Sequence, residues 1–437
     1  MDSKHANGKE TGFREKLAYG LVSMGSEFSA SFSSYFLILF YTDVFLLPVG
    51  AVAVLMFTYR VIDATDDVLF AYFMNRKHYK RGKYLPYYLW LSLPFALFSA
   101  LMYYTPDISD AWKFVYAFAT LLAWEMADTI LGTATKALLP FISRDKRERT
   151  QLNSVGIVFA VGAFLIVSSS GMNLVALLGG GDQQRGFFMT MLLFGLLSVP
   201  MSLAGYFGIK ERHLTQKKKI PPRQILHCVL QNRRMLLFLG VYLFYWAGNS
   251  FKNQMTIYYV SYNMGRPDAV SSMLLAGVLA SFAVQPFIPW IAKHMASGQS
   301  MSIGIWGSAA SAAAMLCAGQ SMPLLIAGNV LFGLFSAVPA NLAFTVVADF
   351  VDETLARHDA NLSDIFYTTL SVSGKIGMAV ASGLCPLVFG WTGYRPEAAA
   401  QGAVALLGIK GLFLGGTALM LAISGALMLR FWRTERR

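Results

Sequence analysis

The chain has 437 residues and a net charge of +12, with 55% hydrophobic and only 14% charged residues, about half the charged share of soluble domains. Its 33 Phe, 20 Tyr and 21 Met exceed what a water-facing surface can cover, which excludes a soluble globular protein, a disordered chain and a secreted disulfide scaffold. The three cysteines, Cys228, Cys317 and Cys385, form no CxxC pair, so neither a metal cluster nor a disulfide framework is expected.

A helix needs about 20 apolar residues to cross ~30 Å of hydrocarbon. After a polar tail, 1–16, six such segments run over 17–45, 50–74, 84–105, 112–139, 151–176 and 187–209. The first is too long for the core of a cleaved leader. A charged interruption, 210–234, contains KER, QKKK, PPR and NRR. Six more segments follow over 235–262, 269–292, 301–318, 323–347, 363–391 and 404–430, and a basic tail, 431–437, closes the chain. The prediction is an all-α membrane protein of twelve transmembrane helices in two six-helix bundles, 17–209 and 235–430, joined by the linker 210–234. Lys and Arg gather in loops 2–3 (NRKHYKRGKYLP), 4–5 (SRDKRER) and 6–7 and at the C-terminus, while loops 1–2, 3–4 and 9–10 have essentially none. Basic residues stay on the cytoplasmic side, so both termini are expected there. The +12 thus reads as topology and attraction to membrane lipid rather than nucleic-acid binding.

Ionised side chains at mid-bilayer cost at least about 2.5–3.5 kcal/mol and usually face a cavity and work. Span 2 reads TYRVIDATDDVLF, placing Arg60, Asp63, Asp66 and Asp67 on one helical stripe. Span 1 carries Glu27. Span 4 aligns Glu125, Asp128, Thr129, Gly132 and Lys136, and span 11 carries Lys375. Crowded carboxylates in a low dielectric cannot all stay ionised, so they share protons or a hard cation bound by oxygen ligands. A coupling-ion site of Asp63, Asp66, Asp67 and Thr129 is expected, holding Na⁺ or H⁺, with Arg60 balancing charge. The alternative is a structural stripe in which Arg60 and the lysines neutralise the acids. Trp124 is a candidate to stack on a sugar face. Lys252, beside Asn253, is a pocket charge or, slightly favoured, a lysine snorkelling to the external surface. The six His lie outside the predicted spans and no P-loop occurs, so the chain is expected to be neither an ATPase nor an enzyme, with no cofactor beyond the coupling ion.

FYTDV closing span 1, RVIDATDD in span 2, KRGKYLPYYL after it, DKRERTQL after span 4 and ADFVDET after span 10 resemble the glycoside–pentoside–hexuronide:cation symporters, the melibiose permease type of the major facilitator superfamily. The resemblance covers nearly the whole chain. It implies that Asp63, Asp66, Asp67 and Thr129 hold Na⁺, H⁺ or Li⁺. It also implies that Glu27 binds sugar, that Lys375 lies near both sites, and that Asn253 matches a span 7 Asn. Departures accompany it: Gly132 and Lys136 stand where the type has an Asp and a Trp, Ile157 replaces an Arg, Ala340 a Trp and Ser26 a Lys, and Asp66 replaces an Asn.

The expectation is therefore a multi-pass transporter of a bacterial inner membrane that imports a glycoside-type solute or sugar acid with Na⁺ or H⁺ by alternating access. Glu27, Asp128, Lys136, Lys375, Asn253 and Trp124 are the candidate solute contacts, and Lys136 would either pair with an anionic group or neutralise Asp128 or snorkel. The alternative is a lysolipid or other amphiphile carrier of related fold. Charges in loops 4–5 (Arg144, Asp145, Arg149) and 10–11 (Asp349, Asp352, Glu353) are expected to bridge the halves.

Overall fold

The structure is a computed structural model that describes residues 11–74, 79, 81–213, 232–358, 363–396, 398 and 400–435. The side chains of Asp67, Asp349, Asp352 and Glu353 are outside the described residues, so the bridge expected between loops 4–5 and 10–11 falls there too. Among the described residues the fold is all helical, without a named strand. The helices are α1 (Phe13–Leu39), α2 (Val49–Met74), α3 (Leu85–Leu101), α4 (Asp110–Ile142), α5 (Lys146–Gly179), α6 (Gln183–Gly208) and α7 (Arg233–Tyr258). There follow α8 (Val270–Val284), α9 (Ile288–His294), α10 (Ser297–Met315), α11 (Met322–His358), α12 (Ser363–Thr392), α13 (Ala403–Lys410) and α14 (Thr417–Glu435).

Eight described stretches are long and apolar enough to cross a membrane: Trp112–Ile142, Glu148–Gly179, Gln183–Gly208, Pro267–Phe287, Ser297–Ala318, Met322–Val347, Phe366–Thr392 and Ala403–Arg433. The helices α1, α2 and α7 reach similar lengths of 27, 26 and 26 residues, about 39 Å at 1.5 Å per residue, but carry the ionisable side chains. Two segments read from the sequence as continuous are interrupted. The eighth breaks at Gln285–Phe287 between α8 and α9, because Pro286 and Pro289 lack the amide hydrogen that helix bonding needs. The twelfth passes through a π-helical stretch, Gly411–Gly416, between α13 and α14, where three glycines leave the backbone loosely constrained.

The chain packs as two compact units, 1–33 with 66–218 and 34–65 with 219–437. The end of α1 and the first half of α2 therefore belong with the second unit. In the first unit α6 lies close on α3. A Cβ on Gly195 would sit 2.8 Å from the Ala96 carbonyl oxygen, so only glycine permits that approach. The fully buried Phe32 of α1 meets Tyr103 and Phe187 edge-on at 5.5 and 5.9 Å, the edge-to-face arrangement aromatic rings prefer.

The end of the first unit where α6 stops is stitched by two acids. Glu211 accepts the backbone N–H groups of Lys83, Tyr84 and Leu85 at 2.7, 2.7 and 2.9 Å. It thereby satisfies donors that the start of α3 leaves without helical partners. Glu15 holds Arg212 through two parallel bonds of 2.8 and 2.9 Å, the planar geometry that makes Arg–carboxylate pairs strong. In the second unit, Gly377 of α12 faces the Leu243 carbonyl of α7 so closely that a Cβ would overlap it, and α7 packs between α12 and α14.

Candidate functional site

Polar groups inside each unit form distinct clusters. In the first unit, α2 brings Asp66 against α4. The Thr129 hydroxyl lies 3.1 Å from Asp66 Oδ2 and 3.5 Å from Glu125 Oε1. All three residues are buried. The periodicity of α4 sets this up, since Glu125 and Thr129 are four apart and share a face. One hydroxyl carries one proton, so it donates to one carboxylate at a time. Two carboxylates converging on one oxygen repel when both are ionised.

Also on α4, Asp128, next to Thr129, is half-buried, and Lys136, about two turns beyond it, is exposed. Both act electrostatically on Glu27 of α1, Asp128 repelling it and Lys136 attracting it. The first unit thus gathers Glu27, Asp128 and Lys136 into one charged neighbourhood. Trp124 is buried, with its ring 6.5 Å from Phe95 and its indole N–H making no hydrogen bond.

In the second unit Asp63 is held from both sides. Lys375 of α12 reaches Asp63 Oδ1 at 2.6 Å and also donates to the Asp63 carbonyl at 2.7 Å. Arg60, one turn earlier on α2, donates to Oδ2 at 3.1 Å and lies 4.8 Å over the Tyr59 ring. Lys375, a candidate solute contact from the sequence, is thus engaged with α2, and the stripe read along α2 has different partners at Asp63 and Asp66. Asn253 is half-buried on α7. Its neighbour Lys252 is a correction to the snorkelling expectation: it is 5% exposed, with its ammonium 5.4 Å over the Phe332 ring of α11. Among the described residues no group of three or more His, Cys, Asp or Glu is arranged to hold a metal.

A further cluster surrounds Asp43, which lies in a π-helical turn, Phe40–Val44, that continues α1. Its carboxylate accepts the hydroxyls of Thr42 and Tyr394, and that of Tyr262 at 2.8 Å. Thr42 in turn lies 2.8 Å from the Tyr258 hydroxyl. Burial, the Tyr258 phenol and the Asp43 carboxylate hold the Tyr394 phenol well above its usual range, so it stays a donor. The only signal in the sequence was an acid inside FYTDV; its tyrosine partners lie some 200 to 350 positions away.

The family model for MFS/sugar transport proteins matches residues 18–435. The isoprimeverose transporter of Lactiplantibacillus pentosus is 27% identical over 410 residues, covering 91% of this chain and 84% of its own. The putative glycoside/cation symporter YagG of Escherichia coli (strain K12) is 27% identical over 404 residues, covering 92% and 87%. The putative sulfoquinovose importer of the same organism is 24% identical over 446 residues, covering 96% and 90%. Two solved structures share the fold. A mutant of the nucleoside transporter NupG has a TM-score of 0.71 at 12% identity, with 96% and 99% of the chains covered. A bacterial homologue of the human lysosomal transporter Spinster also scores 0.71, at 11% identity with 96% of each covered. The symporter resemblance read from the motifs is borne out, and the chain belongs to the MFS/sugar transport protein family as a membrane transporter, not an enzyme.

Proposed function

We propose that this protein is a cation-coupled symporter for a glycoside-type solute, working by alternating access in a bacterial inner membrane. Twelve spans in two six-helix bundles, with both termini cytoplasmic, are part of the same reading, supported by the basic loops and the match over 18–435. The observation that carries the coupling is the convergence of Asp66 and Glu125 on the Thr129 hydroxyl. A proton or a small hard cation there relieves the repulsion between two buried acids, and oxygen donors suit such a cation. Asp63 and Asp67 on α2 belong to the same coupling machinery in this reading, with Arg60 balancing Asp63. By linkage, cation and solute tighten each other's binding by the same factor.

Relatives named as carriers of isoprimeverose and of sulfoquinovose support a glycoside, neutral or acidic. In the first unit Glu27, Asp128 and Lys136 are the proposed solute contacts, with Trp124 behind them; in the second, Asn253 and Lys375. One charge crossing ~100 mV supplies about 2.3 kcal/mol, and a tenfold cation gradient about 1.4 more, enough for roughly 500-fold accumulation. The test is uptake of radiolabelled glycosides into proteoliposomes, with imposed sodium or proton gradients, by wild type and Asp66→Asn. Gradient-driven accumulation that the substitution abolishes is the expected result. Equal accumulation by the variant, or none driven by either gradient in wild type, removes the coupling proposal.

A further inference from the structure

Lys252 lies in the seam between α7 and α11 of the second unit. Tyr245, seven residues and two turns before it on the same face of α7, donates to the Ser336 carbonyl of α11 at 2.6 Å. One turn before Ser336, Phe332 presents its ring to the Lys252 ammonium at 5.4 Å. The lysine backbone is locked as well, because the Thr256 hydroxyl donates to the Lys252 carbonyl at 2.6 Å. The side chain is 95% withdrawn from solvent, yet no described carboxylate lies within 4.0 Å of it.

Arg60 and Lys375, two other cations of this unit inside apolar segments, both pair with Asp63. Lys252 differs in having an aromatic face and no carboxylate partner among the described residues. A ring quadrupole attracts an ammonium but does not replace the hydration lost on burial. A buried cation held this way is completed by an anion that arrives, and it repels a coupling cation. We infer that Lys252 is a recognition group for a negatively charged solute, a carboxylate or sulfonate borne on the glycoside, and that this role is separate from that of Lys136. A lysine, a compact point charge, suits a single oxygen of either group. The inference rests on the glycoside reading above.

The probes are methyl β-glucuronide, its neutral counterpart methyl β-glucoside, and a 6-sulfonated methyl glucoside, each assayed for gradient-driven uptake by the full-length protein in proteoliposomes. Wild type should need about tenfold less of a charged probe than of the neutral one for half-maximal uptake. Lys252→Met should erase that preference and leave glucoside uptake unchanged. Lys252→Arg should retain it. If the methionine variant does not fold by size exclusion and thermal melting, Lys252→Gln reads the same ratio. Glucoside uptake with no preference for either charged probe, or a preference that survives loss of the Lys252 charge, overturns the inference and leaves the symporter standing. Failure of all three probes to accumulate under either gradient overturns the symporter reading, and the role of Lys252 with it.

Discussion

Asp63 and Asp66 lie less than one turn apart on α2, yet they meet opposite surroundings. Asp63, in the second unit, has an ammonium at 2.6 Å and a guanidinium at 3.1 Å. Asp66, in the first, shares the neutral Thr129 hydroxyl with Glu125. The first arrangement places two cations on a carboxylate; the second brings like charges together. A pinned acid resists change, whereas a pair of crowded acids responds to any cation or proton that arrives. Position along a charged stripe therefore says little about role until the neighbours from other helices are known.

The largest effect is expected at the pinned acid. Asp63→Asn strands Arg60 and Lys375 without their counter-charge and should cost about 3–5 kcal/mol, read as a fall in melting temperature of the detergent-purified protein. Adding Lys375→Met should recover much of the loss. A single variant that melts like wild type breaks the comparison outright. Asp66→Asn keeps an acceptor for Thr129, so its melting should barely move, while gradient-driven accumulation falls about a hundredfold, equivalent to about 2.7 kcal/mol. If Asp66→Asn destabilised the fold as much as Asp63→Asn, the two acids would share one role.

A third buried acid sharpens the contrast. Asp43 accepts the hydroxyls of Thr42, Tyr262 and Tyr394. Removing one of them in Tyr394→Phe should cost about 1.5–3 kcal/mol, the range for hydrogen bonds to charged groups, measured by the same melting experiment. Thr129→Val should cost about 1 kcal/mol of stability, and should weaken the cation dependence of uptake. A cation response unaltered in Thr129→Val argues that the hydroxyl is only structural.

Much of this was legible in the sequence. Long apolar runs declared a helical membrane protein, because hydrocarbon leaves the backbone no partner but itself. Charges inside those runs marked α1, α2, α4, α7 and α12 as the helices to watch, because burying them uncompensated is costly. The breaks at Pro286 and Gly411–Gly416 were visible as residues but not as interruptions, since hydropathy averages over them. Asp43 and Glu211 escaped because each draws partners from distant segments: the tyrosines 262 and 394, and the amides of 83–85.

Local composition and periodicity alone determined that this chain is helical, which runs enter the membrane and which faces carry charge, since those properties depend on residues within a few turns of each other. Only the tertiary structure decided that Lys375 takes Asp63, that Thr129 takes Asp66, and that Lys252 faces Phe332 instead of reaching for water. Those pairings join positions between 63 and 312 residues apart, and electrostatic partnership depends on distance in space, which helical periodicity cannot supply.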